Sequence, residues 1–265
     1  MSIFQSPRPN SQNKVPQDNA ASFSGLLLAL EASGEHASVA LWQNDGLIEE
    51  RRSDQLHGHA AHFVTLAADV VKDNGFAFGD VTHIASGIGP GSFTGLRVCL
   101  SAAKGFALAG DLPACGVHGL RARAYRAWQM TADQLPEITS VIATADTRRG
   151  VLFWQRYDAD LNPLSDIQEA SREALCDQVQ SEVGAFLALP PLLQQGSPAP
   201  DQQYEGNQAD APNGLINTII MSAKDIAALA AGDIAAGHDM LPLDALYVAP
   251  PLLGPKKQAD QNTKS

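Results

Sequence analysis

The chain has 265 residues, 45% of them hydrophobic, enough to bury one large core or two modest ones. A formal net charge of −11 argues against a surface that grips a phosphate backbone unaided. The three cysteines, Cys99, Cys115 and Cys176, are widely spaced and form no C-x-x-C pair, which argues against a disulfide framework or a structural zinc site and suits a reduced, cytoplasmic compartment.

Residues 1–24 are rich in Ser, Pro, Asn and Gln and lack the apolar stretch of a signal peptide, so they read as a disordered extension. No run approaches the ~18 apolar residues of a membrane-spanning helix. An apolar run at 26–30 and the stretches 36–42 and 46–52 read as three strands, and 59–71 reads as a helix stopped by Asn74-Gly75. A strand at 83–86, a helix at 94–109 and a strand at 114–117 complete a first unit, 25–118. A second, smaller unit, 119–252, opens with a helix at 121–130, followed by strands at 138–145 and 151–157 and a helix at 171–179 capped by Ser171. Residues 189–214, rich in Pro, Gln and Ala, lose all periodicity and read as a mobile insertion. A helix at 222–236, with Ser222 as cap and Asp225 in its first turn, precedes a polar tail, 253–265, that reads as disordered. Strands and helices in this order indicate an α/β fold, and no repeat is visible.

The stretch GIGPGSFTGLR, 87–97, carries the strongest chemical signal. Four glycines between a strand and a helix gather backbone N–H groups at a helix N-terminus, where an anion is favoured. Gly89, Gly91, Ser92, Thr94, Gly95 and Arg97 are therefore candidate phosphate contacts. The spacing is neither a Walker loop nor the dinucleotide fingerprint. The alternative is a glycine-rich turn that merely packs a helix on a sheet. At the end of the first strand, Glu31 and Ser33 either face a ligand or form a solvated strand end. His59 and His62 share a helical face after His57, but no Cys or Glu stands at ligand spacing, so a metal site is disfavoured. Asp146, Arg148 and Arg149 sit on a turn that could hold a phosphate or carboxylate bidentately, or could simply be exposed to solvent. Ser33, Ser92 and Cys99 have no recognisable base and orienting acid, so no catalytic nucleophile is assigned.

The helices at 59–71 and 94–109 are nearly free of charge. In the first, Phe63, Leu66 and Val70 form one stripe, and Ala60, Val64, Ala67, Ala68 and Val71 form another. In the second, only Arg97 and Lys104 are charged, and Ser101, Gly105 and Ala109 recur every four residues, a row that lets another helix approach closely. Helices apolar on two sides are buried on both, either within one chain or against a partner.

The string GPGSFTGLR resembles the signature of the TsaB family, the non-catalytic partner in bacterial tRNA threonylcarbamoyladenosine synthesis. LLLALEASGEHASVALW (26–42), LPACGVHGL (112–120), IATADTRRGVLFWQRY (142–157) and LPLDALYV (241–248) resemble that family's other motifs in order. The resemblance implies an actin-like ATPase (ribonuclease H-like) fold of two lobes with a degenerate nucleotide site at Glu31 and Ser33. Working ATPases of that superfamily have Asp at this position, and Glu carries its charge about 1.5 Å further. The catalytic paralogue, TsaD, binds iron through a His-x-x-x-His pair, and the equivalent stretch here, 117–123, keeps only His118. The resemblance thus implies no metal, no cofactor and no catalytic residue. It implies a TsaD-like partner docked on Ala60, Val64, Ala67, Val71, Ser101, Gly105 and Ala109, with a TsaE-like ATPase recruited to the pair. It implies tRNA contact only through the partner and no membrane attachment, with Asp146 and Arg148 serving cleft closure or subunit contact. Two alternatives stay open: an active ATPase or phosphotransferase, and a homodimer built through the same helices.

Overall fold

The computed structural model describes residues 22–34, 36–53, 60–131, 135, 137–147, 149–190 and 216–248, with backbone alone at 60, 61, 216 and 217. His57, His59, Arg148, residues 1–21, 249–265 and most of the expected insertion lie outside them.

Leu26–Glu31 (β1) is buried at every residue, as a strand covered on both faces must be. It is the centre of a five-stranded sheet completed by Ser38–Gln43 (β2), Gly46–Arg52 (β3), His83–Gly87 (β4) and Ala114–Val117 (β5), in the order β3-β2-β1-β4-β5. β1, β2 and β3 pair antiparallel, whereas β4 and β5 join parallel. A second five-stranded sheet repeats this plan around Ser140–Asp146 (β6). Leu152–Tyr157 (β7) and Gln168–Ala170 (β8) add antiparallel on one side; Ala185–Leu189 (β9) and Ile216–Thr218 (β10) add parallel on the other. Three antiparallel strands followed by two parallel ones, twice over, is the duplicated ribonuclease H-like plan of the actin-like fold. The repeat is invisible in the sequence because β8 and β10 are three residues long and leave no pattern to compare.

Ala60–Asp73 (α1) and Phe93–Gly110 (α2) cover one face of the first sheet through Phe63, Val70, Leu96 and Ala103. Gly119–Thr131 (α3) packs on the second sheet through Leu120, Ala124 and Trp128, and Arg172–Ser181 (α4) covers that sheet's outer face through Leu175 and Val179. Ala223–Ala236 (α5) follows β10 in sequence, yet it packs on the first sheet, with Ile226, Ala227 and Ala230 against Leu27, Ala29 and Ala40. The expected division at residue 119 is therefore corrected: the chain returns to its first lobe for α5 and for the segment 240–248. Two further boundaries move. Phe23, assigned to the disordered extension, is buried and edge-on to His83. Leu189, assigned to the insertion, is the buried last residue of β9.

The expected cap of α5 forms, with the Ser222 N–H donating to Asp225 Oδ2 at 2.9 Å. Asp225 is buried, and burial pushes its carboxyl from 3.8 up to about 6, against the pull of the Ser222 N–H, Arg126 and Lys224. An acid whose folded value is raised holds its proton more tightly when folded, so its stabilising effect is complete near pH 4 and is lost as pH rises through about 6. The difference amounts to about 3 kcal/mol. Asp225→Asn keeps the acceptor for Ser222 and removes the buried charge. We expect it to melt several degrees above the parent at pH 7.5 and level with it near pH 4, as followed by circular dichroism. A variant that melts level with the parent at pH 4 but lower at pH 7.5 would show that the charge itself is needed.

Candidate functional site

The turn after β1 and the turn after β4 close on each other. Glu31 is fully buried rather than solvated at a strand end. Its Oε1 accepts from Ser33 N at 2.5 Å, Ser33 Oγ at 2.7 Å and Gly34 N at 2.9 Å, so the carboxylate organises its own turn. Gly87 lies so close that a Cβ there would stand 1.7 Å from Glu31 Oε2. Opposite, Ser92 N donates to Ser33 O at 2.8 Å, and Ser92 Oγ caps α2 by accepting from Gly95 N at 3.3 Å. A Cβ on Gly95 would meet Ala32 O at 1.7 Å. Gly91 and Gly95 are thus accounted for by backbone packed on backbone and Gly87 by the Glu31 carboxylate, and Ser33 O already takes one of the N–H groups at the helix start. Cys99, the nearest thiol, is pushed up to about 12 by burial and by Glu31, which leaves it a neutral core residue.

The other candidates are scattered. His62 is exposed on α1, and His118 is held below its usual value by burial and by Arg121. Among the described residues, no group of three His, Cys, Asp or Glu side chains is placed to hold a metal. Asp146 ends β6, while Arg149 at the same tip pairs with Glu169 of β8 and lies 5.7 Å from the Phe153 ring centre. That arginine is engaged within its own sheet. No described helix is long and apolar enough to cross a membrane.

The row on α2 is open. Ser101, Gly105 and Ala109 are exposed, a Cβ on Gly105 would meet nothing within 4 Å, and Leu108 beside them is 87% exposed. On α1, Val64 and Ala68 face outward, but Ala67 and Val71 are buried against the sheet. Those two expected interface residues are core residues of the monomer. Both lie beside Phe63 and Val70 on the one apolar face of an amphipathic helix, which the helical period places inward. Sequence reasoning also missed Leu108, Phe93 and Tyr247, large apolar side chains left exposed on or beside α2. Leu108 was legible as an apolar residue on the same face as the small row, whereas Tyr247 reaches α2 only through the tertiary fold.

The family model described as TsaD, tRNA N6-adenosine threonylcarbamoyltransferase, matches residues 52–240. The chain belongs to this family. Within the TsaD family it is TsaB/YeaZ-like. It is 35% identical over 136 residues to the tRNA threonylcarbamoyladenosine biosynthesis protein TsaB of Escherichia coli (strain K12), covering 51% of this chain and 56% of that protein. It is 28% identical over 162 residues to TsaB of Haemophilus influenzae, covering 58% of this chain and 65% of the relative. The chain thus spans between half and two thirds of the length of these two curated relatives. In fold it is similar to YeaZ from Pseudomonas aeruginosa, with a TM-score of 0.61 at 21% identity, covering 84% of this chain and all 100% of that one. A second Pseudomonas aeruginosa structure, described as similar to peptidase YeaZ, gives 0.64 at 22%, covering 85% and 100%. In this TsaD-family chain Glu31 and Ser33 lie in a turn closed over by Gly87 and Ser92, whereas Ser101, Gly105 and Ala109 lie on the exposed face of α2.

Proposed function

We propose that this chain is a non-catalytic, TsaB-like subunit of tRNA threonylcarbamoyladenosine synthesis. It docks on a catalytic TsaD-family paralogue and supports transfer of the threonylcarbamoyl group to the adenosine beside the anticodon. The observation that carries this reading is the bare outer face of α2, where Leu108 stands 87% exposed beside Ser101, Gly105 and Ala109. A row of small residues flanked by an exposed leucine suits the close approach of a partner helix, which supports a docking role for this face. The non-catalytic role is supported by Glu31, whose carboxylate serves its own turn instead of facing a nucleotide. In this reading Glu31, Ser33 and the loop 89–97 form the degenerate nucleotide site, and tRNA is contacted through the partner. A TsaE-like ATPase joins the pair, and no cofactor is carried.

Gly105→Arg tests it. The substitution points into open space and replaces a helix-interior glycine, so the monomer should fold with an unchanged circular dichroism spectrum and a melting temperature no lower than the parent's. Against a partner helix the same side chain blocks close approach and buries an unpaired charge, a penalty of several kcal/mol set against about 8 kcal/mol for a micromolar complex. Size-exclusion chromatography of a mixture with the purified paralogue should show a complex with the parent chain and none with the variant. A variant that folds and binds like the parent removes α2 from the interface.

A further inference from the structure

At the start of α2 three exposed side chains form one stack. The rings of Phe93 and Tyr247 lie 5.8 Å apart, and the Arg97 guanidinium lies 5.5 Å from the centre of the Phe93 ring. Phe93 and Tyr247 are 43% and 52% exposed, so neither ring serves the core. The stack is nonetheless fixed in place. Phe93 is the first residue of α2, behind the Ser92 cap. Tyr247 is carried by the segment 240–248, which is fastened along the β5 edge and the flank of α2. Gly116 N donates to Leu241 O at 2.8 Å and Leu246 N donates to Ile88 O at 2.8 Å. Leu243 is buried between these points, and Lys104 Nζ reaches Asp244 Oδ1 at 3.0 Å.

We infer that Phe93, Arg97 and Tyr247 are a preformed anchor that receives a carboxylate-bearing helix of the protein partner. This rests on the docking reading given above. The shape and the charge of the face both point to that occupant. From Phe93 to Leu108 is fifteen residues, about 22 Å of helix. The row between them, Arg97, Ser101 and Gly105, is small in its middle and bulky at both ends, which suits a helix laid along it. Residues 93–110 contain two cations and no acid. Lys104 is answered by Asp244, whereas Arg97 has no carboxylate partner among the described residues. In a chain of net charge −11, a lone arginine on an apolar face selects a carboxylate on the incoming surface. Tyrosine and arginine are the side chains that most often dominate interface energetics, and their prior ordering lowers the entropy lost on binding. An unpaired RNA base would also stack on such a platform, but Arg97 as the one unpaired cation among the described residues of α2, in a chain of net charge −11, supplies little attraction for the phosphates beside that base.

The test is a calorimetric titration with the purified paralogue, using the parent, Arg97→Glu, Arg97→Gln and Tyr247→Ala, with Gly105→Arg as reference. The Arg97 and Tyr247 side chains are exposed, so the melting temperatures of their variants should match the parent. Arg97→Glu and Tyr247→Ala should each weaken binding about 30-fold or more, the loss expected of a hot-spot residue. Raising the salt concentration should weaken the parent complex more than that of Arg97→Gln. If Arg97→Glu and Tyr247→Ala bind like the parent while Gly105→Arg does not bind, helix docking stands and the anchor is wrong. If the parent itself does not bind, the docking reading and the anchor fall together. If the variants lose affinity for a fluorescent tRNA instead of the paralogue, the stack reads a base and the anchor is overturned.

Discussion

Gly95→Ala should unfold or severely destabilise the protein, while Gly105→Ala, ten residues along the same helix, should stabilise it. The two glycines differ only in what a methyl group would meet. At Gly95 an added Cβ would stand 1.7 Å from Ala32 O and 2.7 Å from Ala32 C, backbone atoms that cannot rotate aside. Relief requires α2 to move off the β1–β2 turn, breaking the 2.8 Å bond from Ser92 N to Ser33 O and disturbing the Glu31 cluster. Overpacking of this severity costs at least about 3 kcal/mol. Gly105 has nothing within 4 Å and lies inside a helix, where alanine is preferred by about 1 kcal/mol. For a chain of this length each kcal/mol moves the melting temperature by roughly 2–4 °C. Thermal melts of the two variants should therefore bracket the parent. If Gly95→Ala melts within a degree or two of the parent, the two turns do not pack as described.

The same contrast explains what could be read from the sequence. The apolar runs that became β1, β2 and β4 and the stretches that became α1, α2 and α5 have lengths and caps that period and composition reveal. β8 and β10 are too short to carry a period, and β9, Ala-Phe-Leu-Ala-Leu, borders a proline-rich stretch that hides it. The return of α5 to the first sheet is a tertiary event. Its small residues, Ala227, Ala230 and Ala231, fit either sheet equally well, so nothing local selects one. At the candidate site, the glycine motif was legible as a strand-to-helix crossing. That Gly87 and Gly95 face Glu31 and Ala32 was not, because those contacts join residues more than fifty positions apart. The small row on α2 could be read because its period of four is local. The inward phase of Ala67 and Val71 was legible as well, since the helical period sets both beside Phe63 and Val70 on the apolar face of a clearly amphipathic α1.

Removing the carboxylate of Asp233 should cost about 2–3 kcal/mol, and acid should weaken the same contact. Asp233 on α5 receives Arg121 of α3 through two bonds, Nη1 to Oδ2 at 2.5 Å and Nη2 to Oδ1 at 2.8 Å, so one ion pair joins the helix on the first sheet to the helix on the second. Burial works against the Asp233 charge, but the Arg121 bonds outweigh it and hold the carboxyl below its ordinary value of 3.8. A carboxyl depressed in this way contributes fully above its unfolded value, and the contribution is lost as pH falls through the folded one. Asp233→Ala strands the Arg121 guanidinium, whose side chain is 29% exposed, so the usual 3–5 kcal/mol for a broken buried pair is reduced by remaining water. Replacing both partners, Arg121→Met with Asp233→Leu, removes the stranded charge and should recover most of the stability. Urea melts of the two single variants and the double variant at pH 7 separate these terms. A double variant as unstable as the worse single one would show that the charges hold the helices by more than their own pairing. Asp225 and Asp233 lie eight residues apart on α5 and pull in opposite directions with pH: one loses its contribution as pH rises from 4 to 6, the other as pH falls below 4. The junction between the lobes should therefore be firmest near pH 4 to 5, and Asp225→Asn alone should extend that firmness to neutral pH.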